Sequence, residues 1–212
     1  ENIGIVTGGG TGSNKGTVTV TSDGSTGFIV TGGTLDNSGT LSVTGNTTSG
    51  GKGATGIIAT GGTYTTSGTG SVTANVTGKN SLGIYAKNST LTIGVNNISA
   101  DNEAVNYIAD TGGTINLNGV GTAFTGAKSL LFYTDGGVIN INSPLTANIS
   151  GGSNTPNTRG TAFYYVGSGY SAFNPTTVGT WVANTFNSTL NNLNLNMASG
   201  SRLFVAEDVE MN

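Results

Sequence analysis

Phe28-Ile29-Val30-Thr31-Gly32-Gly33-Thr34-Leu35 and Ile57-Ile58-Ala59-Thr60-Gly61-Gly62-Thr63-Tyr64 are two copies of one phrase: three apolar or small residues, Thr, a Gly pair, Thr, and a large apolar residue. Weaker copies run Ile84–Leu91, Ile108–Ile115, Phe132–Ile139 and Phe163–Tyr170, and a clipped one opens the chain at Gly4–Thr11. Taking the first residue of each turn pair as a marker gives Gly8, Gly32, Gly61, Asn88, Gly112, Gly136 and Gly167, at intervals of 24, 29, 27, 24, 24 and 31 residues. Short apolar strands punctuated by Gly-rich turns at such a period are the signature of a solenoid, in which each repeat buries its apolar face only against its neighbours.

The spacing predicts an all-β fold: a right-handed parallel β-helix of about eight coils of 24–31 residues. Right-handedness is preferred because the intervals vary and no aliphatic residue recurs every six positions, as a left-handed hexapeptide coil requires. Coils stacked about 4.8 Å apart make a rod of roughly 40 Å. Two columns are expected to face inward. Four residues before the marker stand Gly4, Phe28, Ile57, Ile84, Ile108, Phe132 and Phe163; three after it stand Thr11, Leu35, Tyr64, Leu91, Ile115, Ile139 and Tyr170. Thr34, Thr63, Thr90 and Thr114 form an expected hydroxyl ladder. Ile115-Asn116-Leu117-Asn118, Ile139-Asn140-Ile141-Asn142 and Leu193-Asn194-Leu195-Asn196 alternate strictly, which argues for one dry and one polar face, with the Asn residues stacked outside.

The column three residues before the marker, Ile5, Ile29, Ile58, Tyr85, Ala109, Tyr133 and Tyr164, admits two readings. If its neighbours point inward it is a vertical apolar stripe on the surface, which marks an interface. If the parity is off by one residue, it is core.

Composition narrows the class. The chain has 212 residues, of which 8% are charged, against about 25% in an average soluble protein. Gly accounts for 37 residues and the net charge is only -3, so low charge and recurring β-branched residues argue against disorder. With no Cys and no His, a disulfide framework, a thiol nucleophile and a His-ligated metal are excluded. Five Lys and two Arg scattered over a net acidic chain argue against nucleic acid. No apolar run approaches the ~18 residues of a membrane helix. The chain begins at Glu1 in mid-repeat, as expected of a piece of a longer protein.

Residues 1–149 read as regular coils, 150–201 as irregular coils with loop excursions, and 202–212 as the start of a further coil, all in one domain. The excursions, Gly151–Gly160 and Gly167–Phe186, hold Arg159, Tyr170, Phe173 and Trp181. Insertions in solenoids map to loops that often bind, so these four are the candidate binding residues, the aromatics suited to a sugar or a protein anchor. The alternative is that the aromatics pack on the flank of the rod or cap its core. Among ten carboxylates only Asp110 and Asp135 stand one turn apart. Such a pair suits glycoside hydrolysis or Ca²⁺, but both precede Gly in a turn, where Asp is common for local reasons. No catalytic, metal or cofactor site is assigned.

At Gly83-Ile84-Tyr85-Ala86-Lys87-Asn88-Ser89-Thr90-Leu91 and at the copy from Gly56 to Thr63, the chain resembles the passenger segments of bacterial autotransporters. More narrowly, it is similar to the repeat regions of large fusobacterial-type outer-membrane adhesins. The resemblance covers most of residues 1–149 and fades across 150–201. It implies a non-enzymatic structural and adhesive segment without cofactors, displayed at the cell surface or secreted. Its partners would be a host or bacterial surface protein or glycan, together with flanking coils and a C-terminal membrane barrel of the same parent chain. A monomer is expected. The alternatives are a carbohydrate-active β-helix enzyme using Asp110 and Asp135, and a trimeric fibre or tailspike subunit joined through the Ile/Tyr stripe.

Overall fold

A computed structural model describes residues 1–153, 158–166, 185–188 and 192–207. The chain winds as a parallel β-solenoid. Three strands make a coil, as in Thr26–Val30, Thr34–Asn37 and Thr40–Asn46, and each strand pairs only with its counterparts one coil below and above. Three parallel sheets result, the first of eight strands and the other two of seven. Seven complete coils are therefore followed by the first strand of another, Arg202–Glu207, a small difference from the expected eight.

Local chemistry explains the winding. The strands are rich in Thr, Val and Ile, whose branched β-carbons fit a pleated surface. The sharp turn between the first and second sheets needs a left-handed backbone at Gly33, where φ is 68°. A β-carbon there would also collide with the Gly10 carbonyl of the coil below, so Gly serves both conformation and stacking.

Two columns of large side chains run through the core, and the third sheet closes it with Leu41, Val43, Val72 and Ile98. Phe28, Ile57, Ile84, Tyr107, Phe132 and Phe163 succeed one another in register along the first sheet. Leu35, Tyr64, Leu91, Ile115 and Ile139 do so along the second. The aromatic members stack: Tyr107 on Phe132 and Phe132 on Phe163, each with centroids 5.5 Å apart. Burying one such side chain contributes about 1.5–3 kcal/mol.

Register corrects the sequence at four places. In the first coil Ile5, not Gly4, lies opposite Phe28, and Gly12, not Thr11, lies opposite Leu35, because the clipped repeat is offset by one residue. In the fifth coil Tyr107 rather than Ile108 takes the inward place. The turn after it, Asp110–Gly113, carries an extra residue that restores register by Thr114. In the seventh coil the strand position opposite Ile139 belongs to Phe186, not Tyr170. Leu193–Met197 repeats the Leu-Asn pattern but pairs with Leu145–Ile149 in the third sheet, not in the second.

Polar ladders lie on both sides of the wall. Asn140 Nδ2 donates to Asn116 Oδ1 and Asn142 Nδ2 to Asn118 Oδ1, both at 2.8 Å, on the outside as expected. Thr34 and Thr63 hydroxyls meet at 3.0 Å. A second Asn ladder is interior: Asn14 Nδ2 donates to Asn37 Oδ1 at 2.8 Å, and Asn37 Nδ2 to Tyr64 Oη at 3.1 Å. The same column continues upward as Ile93, Leu117 and Ile141, so this column is polar at its base and aliphatic above.

Candidate functional site

The first sheet decides where chemistry gathers. Its outer face carries a ladder that runs Val6, Ile29, Ile58, Tyr85, Ile108, Tyr133, Tyr164 and Val205 in strict register. Ile29, Ile58, Tyr85, Tyr133 and Tyr164 are half-buried. They do not belong to the interior cluster and are not packed against it. This settles the parity left open by the sequence: the stripe is external. Its membership changes in two coils, with Val6 in place of Ile5 and Ile108 in place of Ala109, through the register offsets described above. Tyr133 and Tyr164 stack at 5.7 Å with their planes 17° apart.

The coil repeat sets Asp110 and Asp135 side by side at the exit of this sheet, as direct register partners. Tyr85 Oη donates to Asp110 Oδ2 at 2.7 Å, and Lys87 Nζ donates to the same oxygen at 3.0 Å. The Thr111 amide donates to Asp110 Oδ1 at 2.6 Å. Burial pushes the Asp110 carboxyl up. The hydrogen bonds from Tyr85, Thr111 and Lys87, with the lysine charge, outweigh that and hold it below the ordinary carboxylate value. Burial, the bond to Asp110 and the charges of Asp110 and Asp135 push the Tyr85 phenol well up.

Asp135 is placed differently. Its Oδ1 is shielded from solvent yet has no hydrogen-bond partner among the described residues. The pair is therefore asymmetric, with one carboxylate saturated by three donors and its neighbour carrying an unmet oxygen. Among the described residues no group of three His, Cys, Asp or Glu side chains stands close enough to hold a metal ion.

Of the other candidates, Arg159 is half-buried and stands just before the strand Thr161–Val166, at its entry. Tyr170, Phe173 and Trp181 lie outside the described residues, and chain order places them after that strand's exit. The Tyr85–Lys87–Asp110 cluster was not assigned from sequence as a unit. A signal for it existed, because Tyr85 and Lys87 flank a strand end in one coil and Asp110 ends the corresponding strand in the next.

Compared with known protein families, curated proteins and solved structures, the chain matches none.

Proposed function

We propose that this chain is a structural and adhesive segment of a cell-surface passenger protein of the autotransporter kind, a rod that presents contact surfaces to another cell. The observation that carries this reading is the outward ladder from Val6 to Val205 on a rod whose own core is already complete. A solenoid needs no apolar residues on its outer wall for stability, so an unbroken external column is a surface for contact. The resemblance of residues 1–149 to passenger repeats supports the same setting.

The registered pair Asp110 and Asp135 favours a second reading, a carbohydrate-active enzyme. Against it, Asp110 is held ionised by three donors, which suits a structural carboxylate better than a general acid. Polysaccharide cleavage by the unmutated protein that disappears in Asp135→Asn is the result this second reading requires.

The adhesive reading is tested by binding of the purified chain to intact host and bacterial cells and to a glycan array. A variant with Tyr170, Phe173 and Trp181 changed to Ala, its fold checked by circular dichroism, serves as comparison. Binding that is lost in the folded variant places the contact on the excursion; binding retained by it places the contact on the sheet face. No binding by either protein makes the segment a spacer.

A further inference from the structure

One rung of the first sheet is aromatic on both sides of the wall. Phe132 and Phe163 stack inside it, with centroids 5.5 Å apart. The residues that follow them, Tyr133 and Tyr164, stack outside, with centroids 5.7 Å apart and planes 17° apart. Both pairs are direct register partners of the strands Leu130–Asp135 and Thr161–Val166, in the sixth and seventh coils. The inner rings hold the two strands in that register, so the outer rings meet in a set geometry. Tyr133 and Tyr164 are half-buried, which leaves part of each side chain open to solvent.

Among the described residues no other two tyrosines stand this way. Tyr64 and Tyr107 are fully buried. Ile108 stands between Tyr85 and Tyr133 in register, and Tyr85 Oη is bonded to Asp110 Oδ2 at 2.7 Å. Tyr165 faces the other side of the wall, against Phe163 and Phe204.

Stacked, partly accessible phenols have a specific chemistry. A tyrosine that gives up one electron and its phenolic proton becomes a phenoxyl radical, with spin on the oxygen and on the ring carbons ortho to it. Two such radicals join through a bond between ortho carbons. The hydrogen on each of those carbons then moves to its oxygen, which restores both phenols as dityrosine. The two electrons and two protons released reduce one hydrogen peroxide to two waters. Adjacent strands lie about 4.8 Å apart, and the Tyr χ2 torsion is soft. Rotation about the two Cβ–Cγ bonds therefore turns the stacked rings edge to edge and brings their ortho carbons together without a shift of the backbone. A chain with no Cys cannot tie coil to coil by a disulfide; this pair supplies a covalent tie of another kind.

We propose that Tyr133 and Tyr164 are an oxidative cross-linking site, at which a haem peroxidase with hydrogen peroxide converts the stacked pair to dityrosine and ties the sixth coil to the seventh. That the protein meets such an oxidant rests on the cell-surface reading above; the reactivity of the pair does not.

The test treats the full chain, at about 1 µM, with a haem peroxidase and hydrogen peroxide. The fixed pair, at an effective concentration on the order of mM or more, outruns encounters between molecules. Dityrosine fluorescence is expected from a monomer lighter by two hydrogens. Trypsin, cutting after Lys128, Arg159 and Arg202, should release peptides 129–159 and 160–202 joined, with fragment ions placing the link on Tyr133 and Tyr164. Tyr133→Phe and Tyr164→Phe keep the stacked rings and each lower the yield of linked monomer at least about tenfold. Tyr165→Phe does not.

Absence of dityrosine, a link at any other tyrosine, or cross-linked dimers in place of the linked monomer overturns the proposal. So does a yield that survives Tyr133→Phe or Tyr164→Phe. Cell binding is a separate readout. A chain that binds cells and forms no link keeps the adhesive reading and loses this site; a chain that forms the link and binds no cell does the reverse.

Discussion

Single residues in this wall are held by partners one coil away, so the cost of losing one is set by what it leaves behind. Tyr107, fully buried, donates its Oη to Asn96 Oδ1 at 2.7 Å, and Asn96 is only 3% exposed. Tyr107→Phe leaves that oxygen without its donor inside the core and is expected to cost about 1–3 kcal/mol in denaturant unfolding. Acid stability turns on Asp110. Its folded carboxyl titrates below the ordinary 3.8, so its contribution is complete above that value and is lost as pH falls through the lowered one. Asp110→Asn flattens this acid limb of the stability profile, which urea titrations below pH 4 will read. At the alkaline end the signs reverse. Burial pushes the Tyr64 phenol up to about 12 from 10, and burial also raises Tyr85 and Tyr107. Their contribution is full below pH 10 and fades as the pH climbs through their raised values, because the unfolded phenols ionise first. Tyr64→Phe is expected to lessen that alkaline loss.

At the scale of the strand, the first sheet bends inward at a glycine. A β-carbon on Gly27 would stand 2.5 Å from the Gly56 carbonyl oxygen of the next coil and 2.6 Å from Val43 Cγ2 across the core. Gly27→Ala is therefore an overpacking change that nothing nearby relieves, and a loss of about 1–3 kcal/mol is expected by thermal or chemical melting. Higher in the rod the corresponding strand position is Asn106 and then Leu131, both fully buried. The column thus changes from no side chain to a large one as the facing sheet changes its own residues. Asn106 is accommodated because its Nδ2 donates to the Ile98 carbonyl at 2.8 Å and its Oδ1 accepts from Thr125 Oγ1 at 2.9 Å.

For the whole molecule, contacts between neighbouring coils are nearly all that hold the rod. Stability in such an array is a sum over coils and their interfaces, and the end coils have a neighbour on one side only. Native-state hydrogen exchange is expected to be slowest in the central strands Thr55–Ala59, Leu82–Ala86 and Val105–Asp110 and fastest in Ile3–Thr7. Ile84→Ala, in the middle of the continuous column, removes contacts to the coils above and below at once. It should cost about 2–5 kcal/mol, and uniform protection along the rod would contradict this picture.

The sequence by itself determined the repeat, the all-β class, the two inward columns and the outer Asn ladders. These depend on which residue types recur at fixed spacing, and period is a property of the chain alone. It did not determine register to the residue. The marker pairs are Gly-rich and interchangeable, so the one-residue offsets at Ile5 and Tyr107 became visible only where hydrogen-bonded neighbours fixed them. Nor did it show the interior ladder from Asn14 to Tyr64, since an Asn in an alternating strand looks alike whether it faces water or the core. The side of the Ile/Tyr stripe and the unequal states of Asp110 and Asp135 were decided by the tertiary structure. Which face a column takes, and how many donors reach a carboxylate, follow from atoms one coil away and 23 to 29 residues distant in the chain.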